Sequence, residues 1–161
     1  MKQILQNLKT GETLVAEVPS PQVKAGHLKI KTNISLISAG TEGMLVGFGK
    51  SGYLEKARQQ PEKVVQVINK VSTDGLLATV DTIMTRLDEP QPLGYSNVGV
   101  VIEVGVGVDG YSVGDRVVSN GRHAEIVNVP HHLCAKIPDN VSDEMASFTV
   151  VSSIGLQGVR L

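Results

Sequence analysis

The chain has 161 residues, with 15 basic and 16 acidic side chains and a formal charge of −1 at pH 7. This balance does not favour nucleic-acid binding, and the low aromatic content of 3% does not supply the stacking platforms of single-strand binders. The single cysteine excludes a disulfide framework and a cysteine-rich zinc site. The N-terminus lacks the apolar core of a signal peptide, and no stretch reaches the length of a membrane span. We therefore expect a cytoplasmic protein without nucleic-acid or membrane partners.

The first third of the chain has the pattern of β-strands. Residues 1–7 and 14–18 flank a turn at Gly11, which predicts a hairpin. A third strand is predicted over residues 27–35, where side chains of alternating polarity point to opposite faces. Its core-facing positions are Leu28, Ile30, Thr32 and Ile34. The small residues 38–43 that follow are predicted to form a loop.

Over residues 53–87 the spacing of the apolar residues is typical of helices and no longer of strands. Apolar residues recur there at spacings of three and four, and Pro61 stands where a first-turn proline is tolerated. A polar turn at residues 72–75 divides this stretch into two amphipathic helices. Such an insert either packs on the β-domain or serves as a cap or interface element, because its apolar stripes must be buried against something.

The segment between residues 95 and 137 returns to β-structure, with strands predicted at residues 98–104, 116–119, 124–129 and around 133–137. Residues 105–110, Gly-Val-Gly-Val-Asp-Gly, formally match the G-x-G-x-x-G dinucleotide fingerprint. The fingerprint requires a helix after its third glycine, so that the pyrophosphate sits on the helix N-terminus. Here Gly110 is followed by another turn and another strand. The sequence therefore predicts a strand-connecting turn that binds no phosphate.

The last segment is predicted to be helical from Ser142, which is followed by Asp143 and Glu144 in the first turn. The pattern reaches Leu161 without a C-terminal glycine, proline or polar tail. We expect the natural protein to continue beyond this point.

Several motifs in this order resemble the medium-chain dehydrogenase/reductase family. They are Gly-Thr-Glu at 40–42, Pro-Leu-Gly-Tyr-Ser-Asn-Val-Gly at 92–99, Gly-Asp-Arg-Val at 114–117, His-Ala-Glu at 123–125 and Lys-Ile-Pro at 136–138. The resemblance implies a mainly β domain with helices: a GroES-like, partly open β-barrel with an inserted helical hairpin. It further implies a GroES-like domain over residues 1–146, an insert at about 52–88, and the start of a connection to a Rossmann domain at 147–161.

The zinc-ligand positions of that family differ in this chain. Ala39 stands where zinc-dependent relatives carry cysteine, and Tyr95 replaces the histidine of their Gly-His-Glu motif. The third ligand position falls near Val150 or Val151. None of these side chains coordinates Zn²⁺, whose catalytic sites use three Cys, His or carboxylate ligands. We expect no zinc in this domain.

Two residues are candidates for chemistry. Thr41 matches the hydroxyl that relays a proton in alcohol-oxidising relatives, although without zinc it has no metal-bound alkoxide to serve. Tyr95 either hydrogen-bonds or protonates a substrate oxygen, or fills the empty zinc cavity as an aromatic plug. Three other residues are expected to be inert: His131 and His132 in a surface loop, and Cys134 as a buried thiol.

The resemblance implies the substrate-side domain of a zinc-independent NAD(P)-dependent oxidoreductase. The motifs around residues 36–42 and 93–99, with the helical insert, resemble long two-part bacterial oxidoreductases. That subgroup implies a sugar or sugar-nucleotide substrate in surface-polysaccharide biosynthesis. The alternatives are a quinone- or enoyl-type reductase and a non-catalytic scaffold or dimerisation module. NAD or NADP is expected in the full-length protein, which would bind a small-molecule substrate and form a homo-oligomer. The present chain alone is expected to bind no nucleotide and to be inactive.

Overall fold

The computed structural model describes residues 1–160 and divides them into two compact units. The strand unit comprises residues 1–4, 15–38 and 92–160, and the helical unit comprises residues 5–14 and 39–91. Side chains are described throughout except at eight positions of the helical unit, which are Tyr53, Lys63, Ile68, Lys70, Ser72, Thr73, Asp74 and Leu77.

A five-stranded sheet forms the strand unit. Its strands are β3 (His27–Ser35), β5 (Asn97–Val104), β6 (Arg116–Ser119), β7 (Ile126–Pro130) and β8 (Cys134–Lys136). They lie in the order β7-β3-β5-β6-β8, and each neighbouring pair is antiparallel. The alternation predicted for β3 is confirmed, since Leu28 and Ile30 are fully buried. A 3₁₀ helix over His131–Leu133 stands where the sequence predicted only a loop and the edge of a strand.

The pairing of β3 with β5 holds the centre of the sheet. Its register shifts at two places along β3, so the two strands bulge and twist. Between them, Gly99 passes so close to β3 that a Cβ atom there would lie 2.1 Å from the carbonyl oxygen of Lys31. The apolar core beneath this pairing combines residues from four strands, which are Leu28, Ile30, Val101, Val117, Val127 and Val129.

A second, smaller core lies where the sheet meets the last helices. Val98, Val118, Ile137 and Ala146 are buried together there. Helix α5 (Asp143–Ser147) begins at Ser142, whose side chain accepts a hydrogen bond from the Met145 amide at 3.3 Å, so the predicted N-cap is confirmed. The predicted continuous helix is interrupted at Phe148, after which α6 runs over Thr149–Arg160. The end of that prediction, at Leu161, lies outside the described residues.

A second sheet contains three strands in the order β2-β1-β4. They are β1 (Lys2–Gln6), β2 (Thr13–Glu17) and the two-residue β4 (Gln91–Pro92). The predicted hairpin between β1 and β2 turns at Gly11, which has a φ of +76°.

The helical unit differs from the sequence prediction in its helix boundaries. Helix α1 (Thr41–Lys50) begins inside the stretch predicted as a loop. The predicted hairpin then contains three helices, α2 (Tyr53–Gln59), α3 (Pro61–Asp74) and α4 (Leu76–Asp88). The turn expected over four residues is reduced to Gly75, whose φ of +87° reverses the chain in one step. The three residues before it continue helix α3, because helix propensity is a weak preference that context overrides.

The predicted fold class is confirmed, with two antiparallel sheets that do not close into a complete barrel. Helices account for 37% of the chain and strands for 28%, so the helical share is larger than the phrase mainly β implies. The excess comes from the helical unit.

Candidate functional site

A glycine turn carries Tyr95 at the entrance to β5. Gly94 adopts a φ of +97°, which favours glycine strongly. The turn also packs closely against the ring and backbone of His123. A Cβ atom on Gly94 would lie 2.5 Å from the His123 amide nitrogen and 2.8 Å from its Cγ. The conformation of residues 93–95 is therefore fixed by both backbone preference and lack of space.

The side chain of Tyr95 is half-buried. Among the residues that the structure describes, none forms a hydrogen bond with its phenol group. A phenol oxygen can both donate and accept a hydrogen bond. The group is thus held on a rigid turn with its hydrogen-bonding capacity available to an external partner.

His123 belongs to the His-Ala-Glu motif of the sequence but was not assigned to this site. It precedes β7 by three residues and is only 5% exposed. Its Nδ1 lies 2.8 Å from Oγ of Ser35, a contact between residues 88 positions apart. Its amide donates to the Leu93 carbonyl at 2.9 Å. Two residues that are so far apart in sequence leave no local pattern that would indicate their contact. The contact is evident only in the folded structure.

Buried polar groups surround the first residues of β5. Ser96 donates to the Ser147 carbonyl at 2.6 Å, and Asn97 donates through Nδ2 to Oγ1 of Thr32 at 2.8 Å. The Oδ1 atom of Asn97 is buried, and no group among the described residues donates to it. Buried carbonyl oxygens are normally satisfied, so this atom calls for an ordered water or a ligand donor.

Thr41 lies in the helical unit, as the first residue of α1 rather than in a loop. Its side chain is exposed, whereas that of the next residue, Glu42, is only 4% exposed. The start of α1 therefore places Thr41 at the surface of that unit. Tyr95 belongs to the strand unit.

The positions that correspond to zinc ligands carry Ala39, Tyr95 and, near the third position, Val150 or Val151. These side chains do not fit a Zn²⁺ ion, which requires Cys, His or carboxylate ligands. Among residues 1–160, leaving aside the side chains that are not described, no three His, Cys, Asp or Glu residues are grouped as metal ligands.

Cys134 is partly buried and donates a weak hydrogen bond to the Pro130 carbonyl at 3.5 Å. Burial raises the pKa of its thiol to about 12. Only the thiolate is strongly nucleophilic, so this thiol is a poor nucleophile at neutral pH. His131 and His132 meet edge to face, with ring centroids 5.8 Å apart.

The fingerprint-like segment at residues 105–110 has the predicted turn geometry. Gly107 and Gly110 adopt φ values of +79° and +80°, and the chain enters strand β6 at Arg116 without forming a helix. Gly105 has a different role, because a Cβ atom there would lie 2.0 Å from the Lys24 carbonyl oxygen. Without a helix N-terminus the segment does not fit a dinucleotide pyrophosphate.

Residues 65–139 match the protein family described as the alcohol dehydrogenase GroES-like domain. The matched residues are less than half of the chain and include the motifs at 92–99, 114–117, 123–125 and 136–138 that resemble the medium-chain dehydrogenase/reductase family. The chain is 30% identical over 104 residues to (R,R)-butanediol dehydrogenase of Bacillus subtilis, a match that covers 48% of the chain and 30% of that enzyme.

Solved structures share the fold of the GroES-like domain. The crystal structure of 2R,3R-butanediol dehydrogenase from Bacillus subtilis matches 99% of the chain and 46% of its own length, with a TM-score of 0.65 and 21% identity. The quinone oxidoreductase of Escherichia coli, complexed with NADPH, matches 91% of the chain and 36% of its own length, with a TM-score of 0.60 and 17% identity. The GroES-like domain thus spans less than half the length of each of these relatives.

None of the helices within residues 1–160 is both long enough and apolar enough to cross a membrane.

Proposed function

We propose that this GroES-like domain is the substrate side of a zinc-independent, NAD(P)-dependent oxidoreductase, with Tyr95 as the residue that contacts the reacting oxygen. One observation carries the proposal: the phenol stands on a rigid glycine turn, at the position of a zinc ligand in relatives, with no hydrogen bond from the described residues.

The chemistry assigned to Tyr95 is hydrogen bonding and proton transfer at the substrate oxygen. A phenol can donate its proton to the oxygen of a carbonyl that is being reduced and recover it from solvent, or act in reverse during alcohol oxidation. In this way an O–H group takes over the polarising role that a metal ion has elsewhere. Thr41 is proposed as a second hydroxyl that contacts the substrate.

The nucleotide is assigned to a part of the protein outside this chain. The fingerprint-like segment at residues 105–110 does not fit a pyrophosphate, because it lies between two strands. The similarity to an NADPH-bound oxidoreductase supports the cofactor class, and the 30% coverage of the butanediol dehydrogenase supports a further domain. The exposed apolar residues of α6, among them Ile154 at 65% and Val159 at 84%, support a packing partner for that helix.

The substrate is proposed to be a sugar or sugar-nucleotide, and the full-length protein a cytoplasmic homo-oligomer. The support for the substrate is the combination of the helical insert with the motif around Tyr95, which resembles two-part bacterial oxidoreductases. A quinone- or enoyl-type reductase is the second candidate, because the Escherichia coli quinone oxidoreductase shares the fold. Turnover of sugar, sugar-nucleotide, quinone and enoyl substrates, monitored by the absorbance of NAD(P)H, distinguishes the two classes.

The replacement Tyr95→Phe tests the proposal in the full-length protein. We expect kcat to fall by about 10²-fold, since general acid–base catalysis contributes on the order of 10²–10⁴. Tyr111→Phe is the matched control, because the Tyr111 phenol donates to the Cys134 carbonyl at 2.7 Å within the fold. Unchanged kcat in Tyr95→Phe would contradict the assignment and favour the alternative in which Tyr95 only fills the empty zinc cavity. Thr41→Val is expected to have a smaller effect on kcat than Tyr95→Phe.

Separate experiments test whether this chain alone binds the nucleotide or zinc. Calorimetric titration of residues 1–161 with NADH and NADPH is expected to show no binding, and elemental analysis after dialysis no stoichiometric zinc. Micromolar nucleotide binding, or one zinc per chain, would overturn the corresponding part of the proposal.

A further inference from the structure

His123 connects two segments of the strand unit that are far apart in sequence. Its imidazole Nδ1 is hydrogen-bonded to Oγ of Ser35, the last residue of β3, at 2.8 Å. Which of the two groups donates depends on the imidazole tautomer. Its backbone amide donates to the Leu93 carbonyl at 2.9 Å, directly before the Gly94 turn.

The imidazole also forms the surface against which the Gly94 turn rests. A Cβ atom on Gly94 would lie 2.8 Å from Cγ and 2.9 Å from Nδ1 of His123. The space between the ring and the backbone is therefore too small for any side chain at position 94. Since His123 is only 5% exposed, the ring cannot turn out into solvent without opening this contact.

Two backbone hydrogen bonds extend the same assembly. The Leu36 amide donates to the Ser96 carbonyl at 3.0 Å, and the Leu93 amide donates to the Ile4 carbonyl at 3.1 Å. The first bond ties the residue after β3 to Ser96, and the second ties Leu93 to strand β1. Tyr95 lies between Gly94 and Ser96, so both of its backbone neighbours are fixed.

We propose that His123, through its contact with Ser35, is a positioning residue for Tyr95. The imidazole fills the space under the Gly94 turn and ties that turn to the end of β3, and so sets where the Tyr95 phenol stands. This inference rests on the proposed function for its effect on catalysis, but not for its effect on the position of Tyr95.

The mechanism predicts different effects for ring volume and for hydrogen bonding. His123→Phe keeps a ring under the turn but removes Nδ1, so the turn survives while its tie to Ser35 is lost. Ser35→Ala removes the same tie and leaves the imidazole in place. His123→Asn retains a polar nitrogen near the position of Nδ1 and is expected to restore part of the function. Catalytic groups displaced by about 1 Å can cost on the order of 10²-fold in rate.

The experiment uses the full-length protein labelled with 3-fluorotyrosine, in which each of the three tyrosines of this chain contributes a ¹⁹F signal. The Tyr95 resonance is assigned from its loss in Tyr95→Phe. We expect His123→Phe and Ser35→Ala to shift this resonance and leave that of Tyr111 unchanged. In the same variants kcat should fall by about 10-fold or more for His123→Phe and less for Ser35→Ala, with KM changed less than threefold.

His131→Asn is the matched control, because His131 stands at the other end of β7 and its Nδ1 lies 2.9 Å from the Gly26 carbonyl oxygen. It should leave both the Tyr95 resonance and kcat unchanged. The inference is overturned if Ser35→Ala and His123→Phe leave the Tyr95 resonance in place, or if His131→Asn moves it equally. If the resonance moves but Tyr95→Phe retains full kcat, the positioning is supported and the catalytic role of Tyr95 fails instead.

Discussion

The strand unit and the helical unit are built on different principles. Every apolar side chain described as buried lies in the strand unit, including Leu28, Val101 and Val117, each with no exposed surface. In the helical unit the described side chains below a tenth exposed are polar or charged, namely Gln6, Glu42, Lys56 and Thr79. Its apolar side chains at Leu54, Val65 and Leu76 are more than half exposed. The strand unit is thus stabilised by an apolar core whose residues are far apart in sequence. The helical unit is stabilised by local turns and polar contacts.

The largest effect that this comparison predicts is at Gly99. Gly99→Ala places a methyl group 2.1 Å from the Lys31 carbonyl, so the central strands must separate. We expect a loss of at least about 3 kcal/mol in the free energy of unfolding. Gly43→Ala is the matched replacement in the helical unit, where a Cβ atom meets nothing within 4 Å. It should be neutral or stabilise by up to about 1 kcal/mol. Urea denaturation measures the free energy of unfolding of both variants. Equal losses in the two variants would contradict the difference between the strand unit and the helical unit.

A smaller effect is expected from truncation in the apolar core. Leu28→Ala removes a fully buried side chain and should destabilise the protein by about 3 kcal/mol, from lost burial and the cavity left behind. Leu76→Ala, at a side chain that is 63% exposed, should change the free energy of unfolding by less than about 0.5 kcal/mol. A large effect at Leu76 would show that the helical unit also relies on apolar burial.

The smallest expected effect is a change in the pH dependence of the protein's stability. The pKa of Asp143 is lowered from its usual 3.8 by hydrogen bonds, first from Asn33 and then from Arg116, at 2.8 and 2.6 Å. A carboxyl with a lowered folded pKa stabilises the fold above its unfolded pKa, and that stability is lost as pH falls through the folded pKa. Asp143→Asn should therefore cost about 1 kcal/mol at pH 7 and flatten the loss of stability below pH 4.

Asp88 provides the comparison in the helical unit. Hydrogen bonds from Lys9 and then Asn7 lower the pKa of its carboxyl, but its side chain is 51% exposed. Solvent and salt screen such a pair, so Asp88→Asn should have less effect than Asp143→Asn, with any effect reduced further in high salt. Thermal melts from pH 3 to pH 7 at two salt concentrations compare the two variants. A larger effect at Asp88 would contradict the proposed difference between the units.

The same difference explains how much of the structure could be predicted from the sequence. Strand β3 was predicted at its observed bounds because Leu28 and Ile30 alternate with lysines, and a strand buried on one face leaves that period in the sequence. The turn glycines Gly107 and Gly110 were predicted because positive φ favours glycine. The start of α1 at Thr41 was missed, since glycines and small residues there are typical of a loop.

Prediction of the candidate site reached Tyr95 but not its surroundings. Tyr95 stood out because it replaces a histidine in a recognisable motif. His123 and Ser35 did not, because their contact joins segments 88 residues apart. Nothing in the local sequence of either residue indicates that a ring from one lies beneath a turn near the other. Such contacts follow from the order of strands in the sheet, which sequence periodicity does not specify.

The burial of Cys134 has a practical consequence for chemical labelling. Burial raises the pKa of this thiol to about 12, so far less of it is ionised at pH 7 than of an ordinary exposed cysteine. A cysteine introduced at Val106, which is 85% exposed, would react with maleimide probes far faster than the native thiol. A fluorophore would therefore be attached at the introduced cysteine in preference to the native one.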